Sequence, residues 1–178
     1  MGKEHSKDVI KFLKPFPKEI KERVLWLRDF IWDLHPAANE LIYDNYNALA
    51  IGWSPTDRVG HTFCSIAVGR TSLNVHLGFY WGSELSDPRK MLIGEGNQYR
   101  YYLVNSKEGF PAPYMIKLIR EAYDNALLKV REGKGGKPKG THQGETITKS
   151  VSPVKRSKTK AAKKAKKTRK KVTRRTKR

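Results

Sequence analysis

Ala48-Leu49-Ala50-Ile51-Gly52-Trp53 decides the fold. Large apolar residues take every second position and small residues the positions between, which is the period of a strand whose side chains alternate between two faces. After the turn-forming Ser54-Pro55-Thr56-Asp57, the run 62–68 is again strand-like; Leu73, Val75, Leu77 and Phe79 then alternate with Asn74, His76 and Gly78. Consecutive strands joined by such short connections pair antiparallel. A preceding strand over 41–46 and a later one over 99–104 bring the expected sheet to about five strands.

On both sides of this block the period changes to that of a helix. Ile20, Val24, Leu27, Ile31 and Leu34 recur at spacings of three and four, Trp26 and Phe30 widen the stripe, and the pattern stops at His35-Pro36. Ser6 or Asp8 caps a short opening helix that breaks at Pro15-Phe16-Pro17. Toward the other end, Pro111 and Pro113 open a segment whose Met115, Ile119, Ala122 and Ala126 share one face, with Gly133 just past its last turn. The expected class is therefore α+β: an antiparallel sheet of about five strands packed by N-terminal and C-terminal helices, occupying residues 1–132.

The charge lies elsewhere. The chain has 178 residues, with 37 Lys and Arg against 17 Asp and Glu and a net charge of +20. Residues 133–178 hold 19 of the basic residues and a single acid, Glu145; that segment alone carries +18 and leaves +2 for residues 1–132. No apolar periodicity survives beyond Gly133, so nothing there offsets the entropy of ordering, and residues 133–178 read as a disordered Lys/Arg-rich tail.

Its basic residues are Lys155, Arg156, Lys158, Lys160, Lys163, Lys164, Lys166, Lys167, Arg169, Lys170, Lys171, Arg174, Arg175, Lys177 and Arg178, preceded by Lys149. A phosphate backbone satisfies such a run by releasing its condensed counterions, so the tail is expected to bind DNA or RNA without strong sequence preference. It holds no aromatic residue and cannot stack on bases. Ser152-Pro153-Val154-Lys155 and the Lys/Ala/Thr-rich sequence after it resemble the tails of linker histones and bacterial histone-like proteins. A solubilising or ribosomal-RNA-associating tail, an anionic membrane ligand and a nuclear import signal are the alternatives.

One cysteine, Cys64, excludes an intramolecular disulfide framework, and no Asn-x-Ser/Thr acceptor occurs. Charges such as Arg28 and Asp29 interrupt every apolar run, so no transmembrane segment is expected. The reading is cytoplasmic and nucleoid-associated. Met1-Gly2-Lys3-Glu4-His5-Ser6 matches the short myristoylation pattern, for which the polybasic tail would be the second membrane signal.

Catalytic signatures are absent. The five His are scattered, and His61 and Cys64, three apart on an expected strand, point to opposite faces, so no zinc site is expected. Gly94-Glu95-Gly96 lacks the third glycine of a dinucleotide fingerprint, and Gly133-Lys134-Gly135-Gly136-Lys137 lacks the Lys-Ser/Thr ending of a phosphate loop. A non-enzymatic protein without a cofactor follows. His76 and Asn74 share the polar face of a strand, and a ligand pocket bordered by Trp53, His76, Trp81 and Arg100 is weighed against ordinary surface aromatics. An enzyme using the His76 region is a third reading; the partner of the folded part is an unidentified small molecule or protein.

Several segments together resemble the YdhG-like domain family, small bacterial proteins of unknown general function. The likeness spans residues 25–128. It rests on the helix ending in His35-Pro36, Glu40-Leu41-Ile42-Tyr43 with Ala48 after it, Leu73-Asn74-Val75-His76-Leu77, and Asp87-Pro88 leading through Leu92, Gly94 and Gly96 to Arg100. The resemblance implies a frataxin-like architecture, and some members are described as frataxin-like intracellular iron chaperones. Iron is therefore the alternative cofactor, with Glu19 and Glu22 as the carboxylates it would draw on. Against this, Glu19, Glu22, Asp29 and Asp33 are interleaved with Lys18, Lys21, Arg23 and Arg28, as on a solvated, ion-paired helix face. The sequence also has Asp44-Asn45-Tyr46 where many members show a Gly-Met-Pro-like segment.

Overall fold

A computed structural model describes residues 6–140 and 142–152. Helix α1 (Lys7–Leu13) starts where Ser6 takes the N-cap, its hydroxyl accepting a hydrogen bond from the Val9 amide at 3.2 Å. Helix α2 (Lys18–Leu34) begins directly after Pro17 and ends at His35; Ile20, Val24, Leu27 and Ile31 are buried as their spacing requires. Five strands follow: β1 (Asn39–Asn45), β2 (Ala48–Ser54), β3 (Cys64–Gly69), β4 (Val75–Phe79) and β5 (Arg100–Leu103). Each pairs antiparallel with the next.

Helix α3 (Ala112–Arg131) buries the expected Met115, Ile119, Ala122 and Ala126. It ends in a Schellman motif: Gly133 adopts φ +69°, its amide donates to the Val130 carbonyl at 3.1 Å, and the Lys134 amide donates to the Lys129 carbonyl at 2.9 Å. The core lies between the helices and one face of the sheet. That face presents Leu49, Ile51, Trp53, Cys64, Ile66, Val68, Val75, Leu77 and Phe79, all buried, and T-shaped contacts such as Trp32 on Trp53, 6.3 Å between centroids, knit it to the helices.

The sheet departs from the expected one in a single element. It has six strands in the order β5-β4-β3-β2-β1-β6, and the sixth, β6 (Thr146–Ser152), lies parallel to β1, so the sheet is mixed rather than purely antiparallel. This strand falls in the segment read from sequence as a disordered tail, beyond the expected boundary at 132. Its sequence, Thr-Ile-Thr-Lys-Ser-Val-Ser, has little apolar content, but an edge strand next to one partner needs only β-branched residues and satisfied backbone.

Residues 133–140 and 142–145 are held by side-chain anchors from the domain. His61 Nε2 lies 2.6 Å from the Lys134 carbonyl oxygen, the Lys139 amide donates to Asp57 at 2.8 Å, and Asn39 Nδ2 donates to the His142 carbonyl at 2.9 Å. The folded unit thus extends to Ser152 among the described residues.

Arg28 is the second correction. Sequence placed it on a solvated face; it is fully buried, as is Glu40 of β1, and the two form a fork with Nε–Oε1 at 2.6 Å and Nη2–Oε2 at 3.0 Å. Thr146 of β6 donates to the same carboxylate at 2.7 Å. A buried pair of this kind adds little net stability over apolar groups of the same size, because desolvation offsets the attraction; leaving one charge alone costs about 3–5 kcal/mol. Arg28→Met alone should therefore lower the unfolding free energy in a urea titration by about that amount, and Arg28→Met with Glu40→Met should recover most of it. A double-variant loss equal to the sum of the losses of Arg28→Met and Glu40→Met measured singly would show that the pair is not coupled.

Candidate functional site

The sheet's two faces differ in kind. Helices cover the face described above; the other presents Leu41, itself fully buried, and Tyr43 on β1, Ala48, Ala50 and Gly52 on β2, Ser65, Ala67 and Gly69 on β3, His76 and Gly78 on β4, and Tyr101 and Leu103 on β5. Register sets them in rows: Tyr43, Ala50, Ala67, His76 and Leu103 lie side by side, as do Leu41, Gly52, Ser65, Gly78 and Tyr101. β2 and β3 place nothing larger than serine on this face; Thr62 lies over Gly52, Ser72 over Gly69 and Tyr99 over Gly78, which leaves half-exposed Ala48, Ala50 and Ala67 as a shallow trough between Tyr43 and the aromatic rings.

Those rings form a short stack. His76 lies 4.1 Å from Tyr101 with 14° between planes, and Tyr99 lies 6.1 Å beyond at 27°. Tyr99 reaches over Gly78, where any Cβ would come within 1.9 Å of its hydroxyl, and hydrogen-bonds Ser65. Gly78 is therefore required by close approach rather than by backbone conformation. Burial pushes the Tyr99 hydroxyl up from its ordinary value and lowers the His76 imidazole, which is accordingly neutral at pH 7.

No strand carboxylate reaches this face. Glu40 and Asp44, the two acids on strands β1 to β5, share the opposite face with Ile42 and are paired with Arg28 and Arg70. At the rim, Asp57 is held by the Lys139 amide and by Lys149, whose Nζ lies 3.6 Å from it. Burial alone would raise the Asp57 carboxyl; the Lys139 hydrogen bond and the Lys149 charge outweigh it and hold the group below the usual range.

The pocket expected from Trp53, His76, Trp81 and Arg100 does not assemble. Trp53 is fully buried on the helix side, against Trp32. His76 is on the other side of the sheet, in the ring stack. Trp81 donates from its indole nitrogen to the Gly60 carbonyl at 3.2 Å and lies under Lys129, and Arg100 donates to the carbonyls of Gly96 and Tyr99. Alternation alone separates Trp53 from His76: Trp53 opposes Cys64, and His76 opposes Ala67 on the other face. Tyr99 and Tyr101, which sequence reasoning passed over, carried the signal in their own i, i+2 spacing opposite His76.

Glu19 and Glu22 line a groove of about 320 Å³ between α2 and the loop before α3, with Arg23, Trp26, Lys107 and Glu108. Glu22 is exposed and lies 3.7 Å from Lys18. Among the described residues no group of three or more His, Cys, Asp or Glu is arranged to hold a metal ion, and no helix is long and apolar enough to cross a membrane. The tail residues from Lys155 to Arg178 lie outside the described residues. Comparison of the chain with protein-family models, with curated proteins and with solved structures gives no match.

The loop between β4 and β5 is organised by Asp87, which accepts hydrogen bonds from the Met91 and Leu92 amides at 3.0 and 2.8 Å and from the Tyr114 hydroxyl. Burial would raise this carboxyl, but the three bonds together hold it low. His35, in a three-ring cluster with Phe63 and Tyr123, is lowered from 6.5 by burial and then by Arg120. All these folded-state values lie below the unfolded ones, so the unfolded chain binds protons first and stability falls as pH falls. A urea-unfolding series should show stability declining below about pH 6.5 as histidines protonate, and again below about pH 4 as Asp57 and Asp87 do. Asp87→Asn should flatten the second limb; an unchanged limb would remove Asp87 from this account.

Proposed function

We propose that the protein binds nucleic acid through its C-terminal tail, without strong sequence preference, and that residues 6–152 form a non-enzymatic domain, resembling the YdhG-like family, which this contact tethers to DNA or RNA. The supporting observation is the partition of charge: residues 153–178, which follow the folded unit, hold 15 Lys and Arg and no acid, +15 of the net +20. A solubilising role would be served by charge spread over the surface; concentrating one sign in one segment instead matches a linear polyanion. Its attachment supports the same reading. The tail follows directly from Ser152 on an edge strand anchored to β1, so a nucleic acid bound by the tail is held close to the sheet. In a bacterium this would place the domain on the nucleoid. No specific observation favours the alternative of an iron chaperone.

Fluorescence anisotropy with unrelated labelled duplexes and an RNA, over a salt series, tests the proposal on the full chain and on one ending at Ser152. The full chain should bind all of them and, with roughly eight phosphate contacts, should lose about three to five orders of magnitude in affinity between 50 and 200 mM salt. The shortened chain should lose that salt-dependent binding. Equal affinity of both chains for duplex DNA would place the activity in the folded part instead.

A further inference from the structure

We propose that the helix-free face of the sheet, at the trough between Tyr43 and the His76–Tyr101–Tyr99 stack, binds an unpaired stretch of nucleic acid by base stacking. The proposal rests on the tail reading above and sharpens it, making single-stranded nucleic acid the ligand class.

The tail can hold phosphates but cannot recognise a base face, since residues 133–178 contain no Phe, Trp or Tyr. The sheet supplies what the tail lacks. Three near-parallel rings stand together on a face that no helix among the described residues covers; His76 and Tyr101 are half-buried, and Tyr99 is 38% exposed. Aromatic rings set on a sheet are a recurring way to hold splayed bases, and each stacked base contributes about 1–3 kcal/mol. A duplex buries its base faces in its own stack and offers this surface nothing.

The floor beside the rings fits the same ligand. Tyr43 and His76 stand three strand spacings apart, about 14 Å, with only Ala50 and Ala67 between them in that row. An amphipathic helix from a protein partner would find no large apolar side chain between Tyr43 and His76 to bury against, the nearest in that row being Leu103 beyond the histidine. The electrostatics agree as well. The strand carboxylates Glu40 and Asp44 are turned to the other face and paired, and Asp57 at the rim is met by Lys149, so an approaching phosphate meets no free acid on the strands.

Position completes the argument. Ser152 pairs with Asn45, at the sheet end that also carries Ala48, Gly69 and Leu103, so the tail starts beside the trough. From there the His76 strand is four strand spacings away, about 19 Å, a distance that six extended residues cover. The 26 residues after Ser152 can hold a strand's backbone while its bases reach the rings.

The full chain is tested at about 300 mM salt, where the phosphate contribution is weakened, against a labelled oligouridylate and a duplex of equal length. Wild type should bind the oligouridylate at least tenfold more tightly than the duplex. Tyr101→Leu should reduce oligouridylate affinity by about tenfold or more and leave duplex affinity within twofold, while Tyr101→Phe keeps both. Photocrosslinking of a 5-iodouridine oligomer to wild-type protein, which needs no variant to fold, should label Tyr99, Tyr101 or His76. Duplex and oligouridylate bound equally, with Tyr101→Leu changing neither and crosslinks confined to residues 153–178, would overturn the stacking proposal and leave the tail reading standing. No binding of either at any salt would overturn both. A protein ligand that protects the rings while oligouridylate does not would reassign the face to a protein partner.

Discussion

The Arg28–Glu40 fork, with Thr146 on the same carboxylate, is the joint on which the arrangement depends. It joins three elements from distant parts of the chain: α2, the first strand, and the last strand. Two buried charges tolerate few geometries, because each must keep its partners or be left desolvated. The fork therefore fixes where α2 sits over β1, and the threonine fixes where β6 sits beside it. Trp32, one turn on from Arg28, lies under the guanidinium at 5.9 Å and packs on Trp53, so the joint continues into the aromatic core. Once β6 is seated, the tail has a defined point of departure.

Most of the fold was legible because the core is built from local patterns. The helix stripe of Ile20, Val24, Leu27 and Ile31 and the alternation of Leu49, Ile51 and Trp53 each need only a few neighbouring residues to be recognised, and each is buried as read. The joint was not legible. Arg28 looks like any helix-surface arginine until Glu40 and Thr146, 12 and 118 positions away in sequence, are brought to it. Likewise β6 shows no apolar period, since its stabilisation comes from β1's free backbone and from side-chain anchors at Asn39 and Asp57. Composition correctly flagged the charge from residue 133 onward, but it could not separate the residues that pack from those that follow.

The candidate site was half legible. His76 was singled out on the polar side of its strand, and it does stand on the uncovered face. Its companions were misassigned: proximity in sequence suggested Trp53 and Trp81, whereas register supplies Tyr101 and the small residues of β2 and β3. The same alternation that puts Leu49, Ile51 and Trp53 into the core puts Ala48, Ala50 and Gly52 on the open face. One sequence pattern thus builds both the packing surface and the trough.

In the function proposed above, the sheet supplies fixed geometry for nucleic-acid binding and the tail supplies charge. Both depend on residues 133–152 being part of the folded unit. Native-state amide exchange on the full chain measures this directly. The β6 amides that face β1 should be protected to a level close to that of β1 itself, showing that both open together. Exchange of residues 146–152 at unprotected rates, with β1 still protected, would contradict the account and return the boundary of the fold to the end of α3.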